Sequence, residues 1–148
     1  MLDQADLLTP SIKAAFAALG WRVQSVVADV FEWIDRPEIG VFDAVSANLF
    51  LHHFDDVQLQ RLLSVMPSLK SCFLATEPRR SDLALWCTGW LRAIGANDVT
   101  LHDAAVSVRA GFAGDELSRH WPRSFAVAFD ERQIGPFTHA FVAREVTR

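Results

Sequence analysis

Seven residues stand out for the chemistry their side chains carry: Asp29, Asn48, His52, His53, Glu77, Arg79 and Arg80. Imidazole is the side chain whose ordinary pKa lies nearest neutrality, so a histidine facing a ligand can take a proton from a hydroxyl, an amine or an activated carbon. A carboxylate accepts hydrogen bonds from N–H groups, and paired guanidinium groups hold an anion by forked hydrogen bonds. Residues 29, 48–53 and 77–80 are far apart in the chain, so they form one site only if the elements between them bring them to one place.

Those elements can be read from spacing. Thr9 as N-cap, Pro10 at the first position, a stripe of Ile12, Ala15, Phe16 and Leu19, and Gly20 as terminator predict a helix over 10–19. The β-branched run 22–30 predicts a strand ending near Asp29, followed by a linker with Pro37 and Gly40. Phe42 to Leu49 leans apolar and reads as a strand covered on both faces. Asp55 and Gln58 have capping-box spacing, Leu59, Leu62, Leu63, Met66 and Leu69 repeat at the helical period, and Pro67 is expected to end that helix. A third strand, 71–76, stops at Glu77-Pro78. Ser81 caps a helix that carries Leu83, Trp86, Trp90 and Ile94 and ends near Gly95, with the two tryptophans expected in the core. After a short helix at 115–120, segments 125–129 and 138–143 flank a turn at Gly135-Pro136 and predict an antiparallel hairpin.

Alternation of strands and helices in this order predicts an α/β protein with parallel strands joined by crossover helices. In open α/β sheets ligands lie beyond the carboxyl ends of the strands, where Asp29, Asn48, His52, His53, Glu77, Arg79 and Arg80 are all found. A polar cluster at the rim of an apolar sheet reads as a small-molecule site.

Composition narrows the classes. The 148 residues are 51% hydrophobic and 22% charged with a formal net charge of −4, as in an ordinary globular chain read as one domain over 1–148. Mild acidity without a basic stripe argues against nucleic acid as the main partner. No apolar run of membrane-spanning length occurs, so no membrane association is expected. Cys72 and Cys87 lack metal-like or C-x-x-C spacing and read as small packed hydrophobes in a reducing, cytoplasmic setting, with no metal site expected. The serine-hydrolase elbow, the phosphate loop and the H-E-x-x-H zinc motif are all missing from the sequence.

Val27-Ala28-Asp29-Val30-Phe31, Phe42 through Phe54 with its Leu51-His52-His53-Phe54 ending, and Leu74 through Arg80 together resemble the second half of a class I S-adenosylmethionine-dependent methyltransferase of the small-molecule type. The segment Leu101–Phe112 and the terminal hairpin resemble it too. The resemblance implies a Rossmann-like sheet, S-adenosylmethionine as cofactor and methyl transfer to a small acceptor. It implies that Asp29 accepts from the adenine amino group, with Val30 and Phe31 bordering the ring, and that Ala47, Asn48 and Leu49 lie beside the methionine moiety. It further implies His52 or His53 as proton acceptor and Glu77, Arg79 and Arg80 on the substrate side. Two adjacent histidines on an extended segment point opposite ways, so only one of them serves as base.

Plainer roles fit the same residues: Asp29 as a turn cap, Asn48 as a turn former, one histidine packed and the other solvated, and the arginines as a solvated pair. The sequence also departs from the family. Its seven glycines include no G-x-G pair, so the glycine-rich cofactor half is expected to be missing and the sheet incomplete at its N-terminal side. The alternatives are a truncated enzyme, or a non-catalytic module whose sheet is completed by a partner, with exposed sheet edges as a route to a homo-oligomer.

Overall fold

The computed structural model describes residues 1–36, 40–123 and 127–145. Pro37 of the expected linker and Phe125–Ala126 of the expected hairpin lie outside the described residues. The chain divides into two compact units, Met1–Gly40 and Val41–Arg148.

In the first unit, a short parallel pair joins β1 (Leu2–Asp3) and β2 (Val26–Val27). Between them lies α1 (Pro10–Ala18), started by Thr9, whose hydroxyl accepts from the Ile12 N–H at 3.3 Å. Gly20, at φ +77°, turns the chain out of it. The residues of its apolar stripe Ile12, Phe16 and Leu19 are exposed. The strand expected over 22–30 is only β2, because Asp29 offers a cap to free N–H groups. Its Oδ1 accepts from Phe31 N at 2.8 Å and Glu32 N at 3.4 Å, and starts α2 (Val30–Ile34). Val30 and Phe31 are therefore helical.

The second unit is built on a four-stranded sheet. β3 (Phe42–Asn48) runs parallel to β4 (Lys70–Pro78), β6 (Thr138–Glu145) is antiparallel to β4, and β5 (Val127–Ile134) closes the order β3-β4-β6-β5. The crossover from β3 to β4 is α3 (Asp56–Leu69). Its capping box is formed: Asp55 Oδ1 accepts from Gln58 N at 2.8 Å, and Gln58 Oε1 accepts from Asp55 N at 3.2 Å. Pro67 does not end α3. It sits in the last turn, where its missing N–H costs one intrahelical bond and the burial of Met66 and Leu69 offsets the loss.

The helix expected after Ser81 is α4 (Asp82–Thr88), which tightens at Gly89 into a 3-10 turn over Gly89–Ile94 and ends at Gly95, φ +92°. Then comes α5 (Asp98–Ala110), capped by Asn97 on Thr100 N, and α6 (Glu116–His120). No clear apolar stripe runs along α5, and none of its residues is buried. The hairpin turns at Gly135, φ +64°, and its first strand runs on to Ile134.

Alternation along β4 and β6 places Phe73, Ala75 and Glu77 on the same face as their partners Ala143, Phe141 and His139. All six are buried. Trp121 completes this core, its ring centroid 5.5 Å from Phe73 and 5.6 Å from Phe141. Trp86 and Trp90 are not part of it; they are 63% and 60% exposed, against the reading from helical spacing. β3 is an edge strand whose residues are exposed or half-exposed, not covered on both faces. No helix among the described residues is long and apolar enough to cross a membrane.

Candidate active site

The carboxyl ends of β3 and β4 carry the densest polar structure of the second unit. Asn48 and Thr76 are register partners, and the Thr76 hydroxyl donates to Asn48 Oδ1 at 2.6 Å. Leu49 follows at φ +50°, a left-handed conformation that a leucine adopts only under constraint, with its N–H bonded to Thr76 O at 2.8 Å. This turn leads into a 3-10 turn, Leu51–His53, and swings three successive N–H groups toward Glu77.

Glu77 is 1% exposed and accepts four hydrogen bonds. Its Oε1 takes the N–H groups of Phe50 at 3.0 Å and Leu51 at 2.9 Å; its Oε2 takes His52 N at 3.4 Å and His52 Nδ1 at 2.8 Å. A buried carboxylate is stable only with such a set of donors. With Nδ1–H donating to Glu77, the neutral ring presents Nε2 as its acceptor, and Nε2 has no partner among the described residues. His52 is buried and His53 exposed. Their rings lie side by side, centroids 4.1 Å apart, because the segment is a 3-10 turn and not the extended strand that would separate them.

The two arginines behave differently. Arg80 is tied to protein groups, with one guanidinium nitrogen donating to Gly111 O at 2.9 Å and the other paired with Glu116. Its backbone is fixed as well, since Phe112 N donates to Pro78 O at 3.0 Å and Arg80 N to Phe112 O at 2.9 Å. Gly111 makes this approach possible; a Cβ there would lie 2.2 Å from Pro78 O. Arg79 is held through its own N–H, which donates to Phe137 O at 2.8 Å, while its guanidinium has no partner among the described residues. Of the three residues expected on the substrate side, Glu77 is buried and bonded to protein groups, Arg80 is exposed and bonded to protein groups, and Arg79 is half-buried with its guanidinium unpartnered among the described residues. In the first unit, Asp29 caps α2 and its Oδ2 accepts from Gln4 Nε2 at 3.2 Å. Arg109 is exposed in the last turn of α5, where a cation suits the helix dipole, and no carboxylate holds it among the described residues.

A second buried pair escaped the sequence reading. His139 Nε2 meets Glu131 Oε1 at 2.8 Å, and Glu131 also accepts from Leu117 N at 2.9 Å and Ser118 N at 2.8 Å, which fixes the start of α6. Burial pushes the Glu131 carboxyl up, but the bonds from His139, Ser118 and Leu117 outweigh it and hold the group below the usual carboxylate range. The available signal was phase: Glu131 and His139 fall in step with Phe129 and Phe141, on the inward side of the hairpin.

The sequence matches no family model and no curated protein. Solved structures do match. An O-methyltransferase family protein from Burkholderia thailandensis is similar over 91% of this chain, with a TM-score of 0.57 and 21% identity. This chain has the Rossmann-like methyltransferase fold. The pyocyanin biosynthetic protein PhzM is similar over 99% of the chain, with a TM-score of 0.56 and 18% identity. The chain spans 39% and 42% of the length of these two chains. In open α/β sheets ligands generally lie beyond the carboxyl ends of the strands, which here are the ends of β3 and β4.

Proposed function

We propose that this chain takes part in S-adenosylmethionine-dependent methyl transfer to a small-molecule acceptor, with His52 as the group that receives the acceptor's proton. The observation that carries this reading is the Glu77–His52 pair at the ligand end of a methyltransferase fold. Glu77 fixes the imidazole tautomer so that Nε2 faces away from the carboxylate as a base, and its negative charge steadies the ring as it becomes positive. His53 lies tilted against His52 and is exposed, so it borders the ring, and His52, held by Glu77, is the base in this reading.

S-adenosylmethionine supplies, when bound, a methyl group on a positively charged sulfur. Ala47, Asn48 and Leu49 would flank its methionine end, and these residues fit such a ligand: the Asn48 amide nitrogen has no protein partner among the described residues, and the constrained Leu49 turn fixes the backbone. In the first unit the resemblance assigns Asp29, Val30 and Phe31 to adenine; Asp29 Oδ2 carries a single donor and retains acceptor capacity. Arg79 is the residue suited to an anionic group on the acceptor.

A second reading rests on β3. Among the described residues β3 pairs with β4 alone, and its other edge is where a further strand would continue the sheet, as expected of a module completed by a partner. Both readings are tested by transfer of labelled methyl groups from S-adenosylmethionine to a panel of small phenols, amines and hydroxy acids. The enzyme reading expects turnover that His52→Ala lowers by about 100- to 10,000-fold with cofactor binding unchanged. Cofactor binding without turnover on any acceptor favours the module.

A further inference from the structure

We infer that the Asn48 side-chain amide is a fixed donor for a ligand carboxylate, and that Thr76 is the residue that positions it. The inference rests on the reading of this end of the sheet as a ligand site and adds to it the chemistry of one contact. Asn48 and Thr76 are the last register partners of β3 and β4, and both are exposed. The Thr76 hydroxyl donates to Asn48 Oδ1 at 2.6 Å. That length suits an O–H···O bond and is short for N–H···O, so the oxygen of the amide is the atom turned to Thr76. The Nδ2 group on its other side carries two N–H donors with no acceptor among the described residues.

A second bond fixes the same place. Leu49 N donates to Thr76 O at 2.8 Å, and Leu49 holds its left-handed φ of +50°. Residues 48 and 49 are thus tied to Thr76 through both side chain and main chain, so the amide has already lost the rotamer freedom that an exposed asparagine gives up on binding. An amide whose oxygen is occupied offers only N–H groups; it rewards a carboxylate and gives nothing to an ammonium group. The neighbouring acid, Glu77, is not its partner. Successive residues of β4 face opposite ways, and Glu77 is filled by the N–H groups of residues 50–52 and the His52 ring. Two molecules in the proposed reaction can bring a carboxylate here: S-adenosylmethionine, at its amino-acid end, and an acidic acceptor. The contact is the same for both, and the test separates them.

Side-chain amide NMR of the 148-residue chain reads the Asn48 NH₂ pair directly. S-adenosylhomocysteine is expected to shift the pair saturably, and 5′-methylthioadenosine, which lacks the amino-acid end, to shift it far less. Thr76→Val keeps the side-chain shape and removes the hydroxyl. It should weaken S-adenosylhomocysteine by about 3- to 10-fold and leave 5′-methylthioadenosine unchanged, with Thr76→Ser restoring the wild-type value. If the acceptor is the source, sodium benzoate shifts the pair, S-adenosylhomocysteine binds without doing so, and the Thr76→Val loss falls on benzoate. A sample that binds no S-adenosylhomocysteine but still answers to benzoate refutes the cofactor reading and leaves the donor site standing. An NH₂ pair that neither carboxylate moves overturns the inference. So does a Thr76→Val loss that is the same with and without a carboxylate on the ligand, which is what a purely structural role would give.

Discussion

Replacing Glu77 by glutamine puts the architecture of the site at risk in a way that can be calculated. The amide keeps the shape of the carboxylate but turns one oxygen into an NH₂ donor. Turned with its NH₂ toward Phe50 N and Leu51 N, the amide loses both bonds; turned the other way it faces His52 N and the ring, which keeps its bond by moving its proton to Nε2 and accepting at Nδ1, so that the His52 N bond alone is lost. That bond and the charge assistance of the others are worth about 1.5–3 kcal/mol, and the loss of the buried charge's own desolvation cost offsets part of this. The expected destabilisation is about 1–3 kcal/mol, a sizeable part of the stability of a domain this size. Urea unfolding followed by circular dichroism measures it, with the m-value checked for constancy. In a double-mutant cycle, His52→Ala should cost at least about 1 kcal/mol less in the Glu77→Gln background than in the wild type. A loss below about 1 kcal/mol, or strict additivity, refutes the claim that Glu77 holds the turn and the imidazole together.

Gly111→Ala should destabilise the chain by about 1–3 kcal/mol or more, since its methyl group would overlap the Pro78 carbonyl; a change in urea midpoint within error would contradict the close approach. Glu131 is bound more tightly as a carboxylate in the folded state, so its contribution is full above the ordinary carboxylate value of 4.5 and is lost as pH falls through the lowered folded value. Glu131→Gln should therefore cost stability at pH 7, and the gap to wild type should narrow in urea titrations below about pH 4.5; a constant gap would contradict this. Trp121→Ala should cost about 3–5 kcal/mol, while Trp86→Ala, which loses mainly its edge-to-face contact with Trp90, should cost about 1 kcal/mol; comparable losses would mean Trp86 is packed after all.

What the sequence disclosed follows from how local each signal is. Asp55 with Gln58, Thr9 with Pro10, Ser81, and Gly135 each act through hydrogen bonds or backbone angles within a few residues, and each appears in the fold where it was read. The order of strands and the polar rim at residues 48–53 and 77–80 were legible for the same reason. Tertiary competition was not. Periodicity marks Trp86 and Trp90 as apolar positions, but whether anything covers them depends on elements elsewhere. Asp29 ended its strand early because capping α2 offered more hydrogen bonds than continuing a two-residue ladder. Glu77 and Arg80 read as ligand groups because their types suit ligands; their partners Phe50, Leu51, Gly111 and Glu116 are set by the fold and lie up to 36 residues away.

The most direct test of the account is a backbone amide NMR titration of the chain with S-adenosylhomocysteine. Saturable shifts at Asn48–His53 and Thr76–Arg79, with the hairpin tip at Gly135 unaffected, are the predicted result. The absence of any shift at millimolar ligand in a folded sample, or shifts centred away from the carboxyl ends of β3 and β4, would contradict it.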